Sequence, residues 1–461
     1  MCFHRAQKDL IDRKPRAQDE LIMTKHITII GAGLAGAEAA LCLAARGWHI
    51  NLYEMRPNRM TPAHTTDQPA ELVCSNSLKS LRLDTAAGLL KAELERLGSV
   101  LLPLAHQAAV PAGQALAVDR DKFSALVAQA IANEPSIELI RSEITEIPDE
   151  LCILATGPLS SDAIMHSLSS IIGASHLYFF DAIAPIVDAA SLNYEKIYSK
   201  DRYDKGEPDY LNCPFEKDEY TRFVEALIEG EKHQAHEFEN EFFSGLKFSF
   251  YENCIPIEEL ARRGFDTLRH GVMKPMGLED PKTGRKPYAV LQLRAENLSR
   301  SSYNLVGCQT MLKYPEQKRI FRLIPGLEDA VFHRFGSIHR NAYLNAPQLL
   351  NNDLSLKDAP NVYVAGQLSG VEGYVESIGT GTLLARILDE GLESLPSHTI
   401  IGQLWRHLIT PGEGKFQPMN ANFGILPELD QPIRDRKLKK ESLSKRSLEA
   451  IDNQLFIHNI E

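Results

Sequence analysis

The feature that most constrains this chain is Gly31-Ala32-Gly33-Leu34-Ala35-Gly36, a glycine-spaced turn between an apolar strand and an alanine-rich helix. His26 to Ile30 is the short branched run of a buried strand, and Ala35 to Arg46 carries helical periodicity. Gly47 closes that helix, and Trp48 to Tyr53 forms a second strand ending at Glu54. A lone G-x-G-x-x-G is a weak signal. Set in a βαβ unit, with an acidic residue 18 positions beyond Gly36, it is a strong one for dinucleotide binding. Gly31 permits the tight turn, Gly33 lets backbone approach a pyrophosphate, and Gly36 lets the helix pack on the strand. The helix start offers free N–H groups to phosphates, with Ala32, Leu34 and Ala35 completing the cradle. Glu54 is placed to accept hydrogen bonds from ribose hydroxyls.

Two later segments join the same domain. Leu151 to Gly157 is a buried parallel strand ending in Ala-Thr-Gly, common in flavoproteins. Asn361 to Gln367 is another strand ending at Gly366-Gln367, followed by Gly370, Gly373, Gly379 and Gly381 and a helix from about Thr382. This second glycine cluster suits the ribityl chain and ring of FAD, with Tyr374 either against the flavin or filling core space. The fold class expected is α/β: a discontinuous Rossmann-like FAD-binding domain carrying an inserted α+β domain. The boundaries read as a disordered extension 1–24, FAD-binding parts 25–180 and 306–440, an insertion 181–305 facing the substrate, and a C-terminal tail 441–461. No second G-x-G-x-x-G occurs, so a dedicated NADPH domain is not expected.

Bulk properties exclude some classes. No apolar run approaches the roughly 20 residues of a membrane span, and the charged N-terminal stretch is not a secretory signal. Seven cysteines spaced singly suit reduced thiols of a cytoplasmic protein rather than a disulfide framework or a zinc site. The net charge of −11 taken alone argues against nucleic acid, yet basic residues cluster locally. One cluster holds Arg262, Arg263, Arg269, Lys274, Lys282, Arg285 and Lys286; another holds Lys313, Lys318, Arg319, Arg322, Arg334 and Arg340. The basic stretch Lys437 to Arg446 reads as part of an unstructured tail.

Longer motifs add a family resemblance. Tyr53-Glu54-Met55-Arg56-Pro57, Thr61 to His64 and Ala70 to Ser80 lie near the first turn. Asn253 to Glu258, Ala261 to Gly264, Met273 to Leu278, Gly366 to Gly381 and Phe416 to Gly424 follow. Together, from about Met23 to Arg434, they resemble TrmFO, the bacterial folate- and FAD-dependent tRNA (uracil-5-)-methyltransferases. The resemblance implies transfer of a one-carbon unit from 5,10-methylenetetrahydrofolate to carbon 5 of the T-loop uridine of tRNA. Reduced FAD is the reductant and NAD(P)H the source of electrons. Gln367, where many flavoproteins carry aspartate, agrees with this family. Two rivals are a related FAD-dependent modifier of the wobble uridine and an FAD oxidoreductase of small molecules. The former is expected to be longer beyond its glycine cluster; this chain runs 80 residues past Gly381. A non-catalytic flavin-bound RNA binder is a further alternative. A ribosomal RNA uridine is an alternative target.

Carbon 5 of uracil is a poor nucleophile until a thiolate adds at carbon 6, so a cysteine of lowered pKa is required. Cys74, read as lying just ahead of a helix and five residues before Lys79, meets that condition on paper. So does Cys254, ahead of the helix start Pro256-Ile257-Glu258 and near Arg262 and Arg263. Both match the functional cysteines of the family. By that resemblance Cys254 attacks the uracil, while Cys74 handles the methylene unit or acts as base. Cys42, Cys152, Cys213 and Cys308 read as structural. His64, His270 and His339 are possible proton carriers and are not assigned a catalytic role. Because the T-loop uridine is stacked and must be extruded, Arg262, Arg263, Lys274, Arg285 and Lys286, near Cys254, are the expected tRNA contacts.

Overall fold

A computed structural model describes residues 25–61, 63–173, 177–182, 184–204, 208–232, 255–412 and 416–458. Its first sheet has six strands, in the order Ser355–Leu356, Ala359–Val364, Cys152–Leu154, His26–Ile30, His49–Tyr53 and Ile137–Ile140. All neighbours pair in parallel except the short edge strand Ser355–Leu356. The central strands are apolar on successive residues because both faces are covered: Ile27, Ile29, Ile153 and Val364 have no exposed surface.

Register sets the carboxyl edge. Ile30 lies opposite both Tyr53 and Leu154, and Leu154 opposite Val364. Gly31, Glu54, Ala155 and Ala365 therefore follow at one level, where open α/β sheets bind ligands. Two helices rise from this edge, Leu34–Ala44 and Tyr374–Glu390. The second begins eight residues before Thr382, which corrects the sequence expectation. Gly379 and Gly381 are packing positions inside it rather than loop. A Cβ on Gly381 would stand 2.4 Å from the Ala35 carbonyl oxygen, so only glycine lets the two helices touch there.

A second apolar core lies on a separate six-stranded sheet ordered Tyr198–Ser199, Tyr210–Phe215, Ala289–Ala295, Ser302–Leu305, Ile186–Asp188 and Phe332–Arg334. All its neighbouring strands pair antiparallel. This core runs on through Cys308, Ile320 and Phe321 to Ala330. The inserted unit thus extends past the expected boundary at 305 to about Arg334. The physical reason is that Phe332–Arg334 pairs with Ile186–Asp188, and helix Tyr314–Phe321 buries its apolar side here. The antiparallel ribbon Leu177–Ala182 with Ile338–Tyr343 links the two units.

The expected unstructured tail is instead helix Arg436–His458, which bridges the boundary placed at 440. Leu443, Ser447 and Ile451, four residues apart, bury one stripe against helix Ala86–Arg96 while the lysines stay outside. Among the described residues no helix is long and apolar enough to cross a membrane.

Candidate functional site

A cavity of about 670 Å³ opens at the carboxyl edge of the parallel sheet, within the range of small-molecule and cofactor pockets. Gly31, Gly33, Leu34, Ala35, Glu54, Cys74, Gly366, Gln367 and Tyr374 all line it. Ala32 and Gly36 lie behind that wall. A Cβ on Gly36 would meet the Gly31 carbonyl oxygen at 1.9 Å, so this glycine serves packing. A Cβ on Gly33 would meet nothing within 4 Å, because the turn faces open cavity there.

Both helices start at this cavity without a side-chain cap, at Gly33 and at Gly373. Uncapped N–H groups and the positive ends of two helix dipoles thus point into one space, which fits the phosphates and the polar ring edge of a dinucleotide. Glu54 lies on the wall, but its carboxylate already has protein donors. Ala32 N donates at 3.3 Å, and Arg56 donates from its backbone N at 3.1 Å, Nε at 2.8 Å and Nη2 at 3.0 Å. Burial pushes Glu54 up, and Arg56 more than offsets this, so its pKa is lowered overall. A ribose hydroxyl would share these oxygens with Arg56, a buried residue that the sequence reading left without a role.

The Cys74 loop forms the opposite wall. Strand Ser77–Ser80 follows it, not a helix, so a helix dipole does not act on its thiol; this corrects the sequence reading. Instead the backbone N–H groups of Cys74 and Ser75 donate to the Tyr374 hydroxyl at 2.8 and 3.2 Å. Burial, and then the charge of Cys74, push the Tyr374 phenol up, so it stays neutral. Tyr374 therefore both lines the cavity and holds the Cys74 backbone. Cys74 is half-buried, whereas Cys42, Cys152, Cys213 and Cys308 are buried. Burial raises all four buried thiols, Cys152 to about 12, which suits inert core residues.

Arginines not singled out as site residues by the sequence surround this loop. Arg294, a cavity residue of the inserted sheet, donates to Asn76 Oδ1 and to Ser75 Oγ, both at 2.7 Å. Arg120 Nη2 donates to the Cys74 carbonyl oxygen at 3.4 Å. The Arg334 guanidinium is pushed down by burial and then by the like charge of Arg120, with Tyr374 and Cys74 also within its field. His64 lines the cavity with Nδ1 2.6 Å from Thr61 Oγ1; burial, then Arg56, lower it to about 4, so it is neutral at pH 7.

Cys254 lies outside the described residues. The segment just after it is placed: Ile257 N donates to the carbonyl oxygen of Gln309, a cavity residue, at 2.8 Å. Helix Ile257–Arg262 begins there as expected, with Pro256 at its N-cap. Arg262, Arg263, Lys274, Arg285 and Lys286 stand outside the cavity lining, and all five are exposed. Arg262 donates to Ile228 O.

A discontinuous parallel sheet with two uncapped helix starts and a thiol over one cavity defines a dinucleotide-binding enzyme of the flavoprotein type. Residues 26–395 match the family model described as Glucose inhibited division protein A. A methylenetetrahydrofolate–tRNA-(uracil-5-)-methyltransferase TrmFO of Brevibacillus brevis is 50% identical, over 93% of this chain and 97% of that relative. One of Koribacter versatilis is 51% identical, over 95% of this chain and 100% of that relative. The structure of Aquifex aeolicus GidA aligns with a TM-score of 0.65 at 14% identity, covering 94% of this chain and 74% of that one, a likeness of fold. The chain belongs to the glucose inhibited division protein A family and, within it, to the TrmFO group.

Proposed function

We propose that this chain transfers a one-carbon unit from 5,10-methylenetetrahydrofolate to carbon 5 of the T-loop uridine of tRNA, giving 5-methyluridine. The observation that carries the reading is the convergence of Cys74, Tyr374 and two uncapped helix starts on one cavity. It does so in a chain half identical to enzymes named for that reaction. The turn Gly31 to Gly36 holds the pyrophosphate of FAD, Glu54 takes its ribose, and Gly366, Gln367 and Tyr374 border its ring. When bound and reduced, FAD supplies the electrons that make a methyl group from a methylene. NAD(P)H is the external reductant, and the tRNA substrate places the chain in the cytoplasm.

The thiolate of Cys254 adds to carbon 6 of the extruded uracil, forming an S–C bond and making carbon 5 nucleophilic. Carbon 5 bonds to the one-carbon unit, tetrahydrofolate is released, and the S–C bond breaks as carbon 5 gives up its proton. Cys74, on the cavity wall, handles the methylene unit or takes that proton. Arg262, Arg263, Lys274, Arg285 and Lys286 meet tRNA phosphates outside the cavity.

Unmodified tRNA incubated with the protein, methylenetetrahydrofolate, FAD and NADH should yield 5-methyluridine on nucleoside analysis. Absence of the product, or equal product without folate, overturns the reading. Cys254→Ala should abolish transfer and keep the yellow flavin colour; loss of FAD instead would make Cys254 structural.

A further inference from the structure

We infer that Arg120, clamped by Glu296 of the inserted unit, is a positioning residue that sets Cys74 against the cavity and ties its placement to that unit. The inference rests on the reading of Cys74 as a functional thiol.

Arg120 opens helix Arg120–Ala132, whose N-cap Asp119 accepts from Lys122 N at 3.1 Å. Its guanidinium faces Glu296 with two nitrogens, Nε at 2.6 Å and Nη2 at 3.4 Å. The same fork donates to the carbonyl oxygens of Leu72 and Cys74. A planar guanidinium can satisfy a carboxylate and two carbonyls at once; a lysine ammonium has neither the reach nor the fixed geometry. Glu296 follows strand Ala289–Ala295 directly, and its N–H donates to Ser302 O at 3.0 Å, closing the hairpin.

Further bonds to the same loop come from the same strand. Arg294 holds Ser75 and Asn76, and Asn76 Nδ2 donates to Ala295 O at 3.0 Å. The Cys74 loop is thus held on one side by Tyr374 of the cofactor unit and on the other by three consecutive residues of the insertion. A shift of that hairpin moves the carboxylate, the guanidinium and the Cys74 carbonyl together.

Charge acts in the same direction. Among the described residues, Arg120, Arg334 and Tyr374 lie within the field of Cys74, and Glu296 within that of both arginines. Glu296 is paired with Arg120, and cationic groups beside a thiol are the general means of making it reactive. A purely structural ion pair could be exchanged for a neutral pair with no effect on the cysteine; a positioning pair could not.

The test is alkylation of Cys74 by iodoacetamide across pH in the FAD-loaded full chain, read on the Cys74 peptide by mass spectrometry, with kcat and KM for tRNA alongside. Arg120→Gln should move the alkylation midpoint to higher pH and slow the reaction about tenfold near neutrality, one unit of pKa being a factor of ten in thiolate. It also leaves Glu296 buried and unpaired, so Arg120→Gln/Glu296→Gln is the companion that keeps the fold measurable. That double variant should recover melting temperature yet keep the shifted midpoint. Arg120→Lys should hold the midpoint but lower kcat at unchanged KM for tRNA. A FAD-replete double variant with wild-type midpoint and kcat overturns the inference, and so does loss of fold in all three variants. Failure of the wild type to make 5-methyluridine would sink the functional reading while leaving the alkylation result to decide the positioning.

Discussion

A methyl group means different things at Gly33 and Gly36, three residues apart in one turn. At Gly36 it would sit 1.9 Å from a backbone oxygen, so the helix must move. Gly36→Ala should cost about 1–3 kcal/mol or more of apo-protein stability and lose FAD with it. Gly33 has φ −70° and ψ −171°, which alanine adopts without strain, and open space beyond. Gly33→Ala should leave apo stability within about 0.5 kcal/mol while weakening FAD at least tenfold, about 1.4 kcal/mol. Thermal melts of apo-protein and flavin titration separate the two; equal loss of stability in both would refute the assignment. This turn was legible in the sequence because its constraints are all local. The shell of Cys74 was not. Arg294 meets Asn76 across 218 positions, and nothing in the chain near either residue announces it. Nor does Ser-Asn-Ser-Leu-Lys-Ser after Cys74 carry helical periodicity; the helix expected there was inferred from context, and a strand took its place.

At the scale of elements, the C-terminal helix was hidden by its lysines. Its buried stripe is Leu443, Ser444, Ser447 and Ile451, half of it serine and too thinly apolar to stand out against the charge around it. What it docks on is Glu93, buried where three helices meet. Its carboxylate accepts from Ile400 N and Ile401 N, both at 2.8 Å, at the start of helix Ile400–Ile409, and from Ser447 Oγ. Burial outweighs those hydrogen bonds and raises Glu93 from 4.5 to about 7. Because the folded pKa lies above the unfolded one, the native state binds the proton more tightly. The stability this proton supplies is complete below about pH 4.5 and is lost as pH rises through about 7. At about 1.4 kcal/mol per unit, the loss is on the order of 3 kcal/mol. Melting temperatures of the wild type and Glu93→Gln, compared from pH 4.5 to 8, should show the wild-type advantage shrinking as pH rises. A difference that stays flat would mean that Glu93 is ionised throughout.

At the scale of the whole molecule, the described residues form two large apolar cores, and the cavity lining they supply belongs mostly to the first. The glycine turn, the Tyr374 helix and the Cys74 loop all pack on the parallel-sheet core, whereas among the described residues Arg294 and Gln309 reach the cavity from the inserted unit. The sequence made the insertion visible as a gap between cofactor segments. Its end was misplaced, because helix Tyr314–Phe321 carries no mark of which sheet it covers. Binding of FAD to the native first core stabilises that core by mass action, about 2.7 kcal/mol at a hundredfold excess over Kd. The second core gains only what the contacts between the units transmit. Calorimetry of the apo-protein should therefore resolve two transitions, and added FAD should move the first-core transition upward while leaving the other nearly in place. Arg120→Gln/Glu296→Gln, which cuts a largely buried ion pair between the units, should widen their separation. A single transition that moves as one with FAD, in the wild type and in the double variant alike, would show that the cores unfold together and that the link is not what joins them.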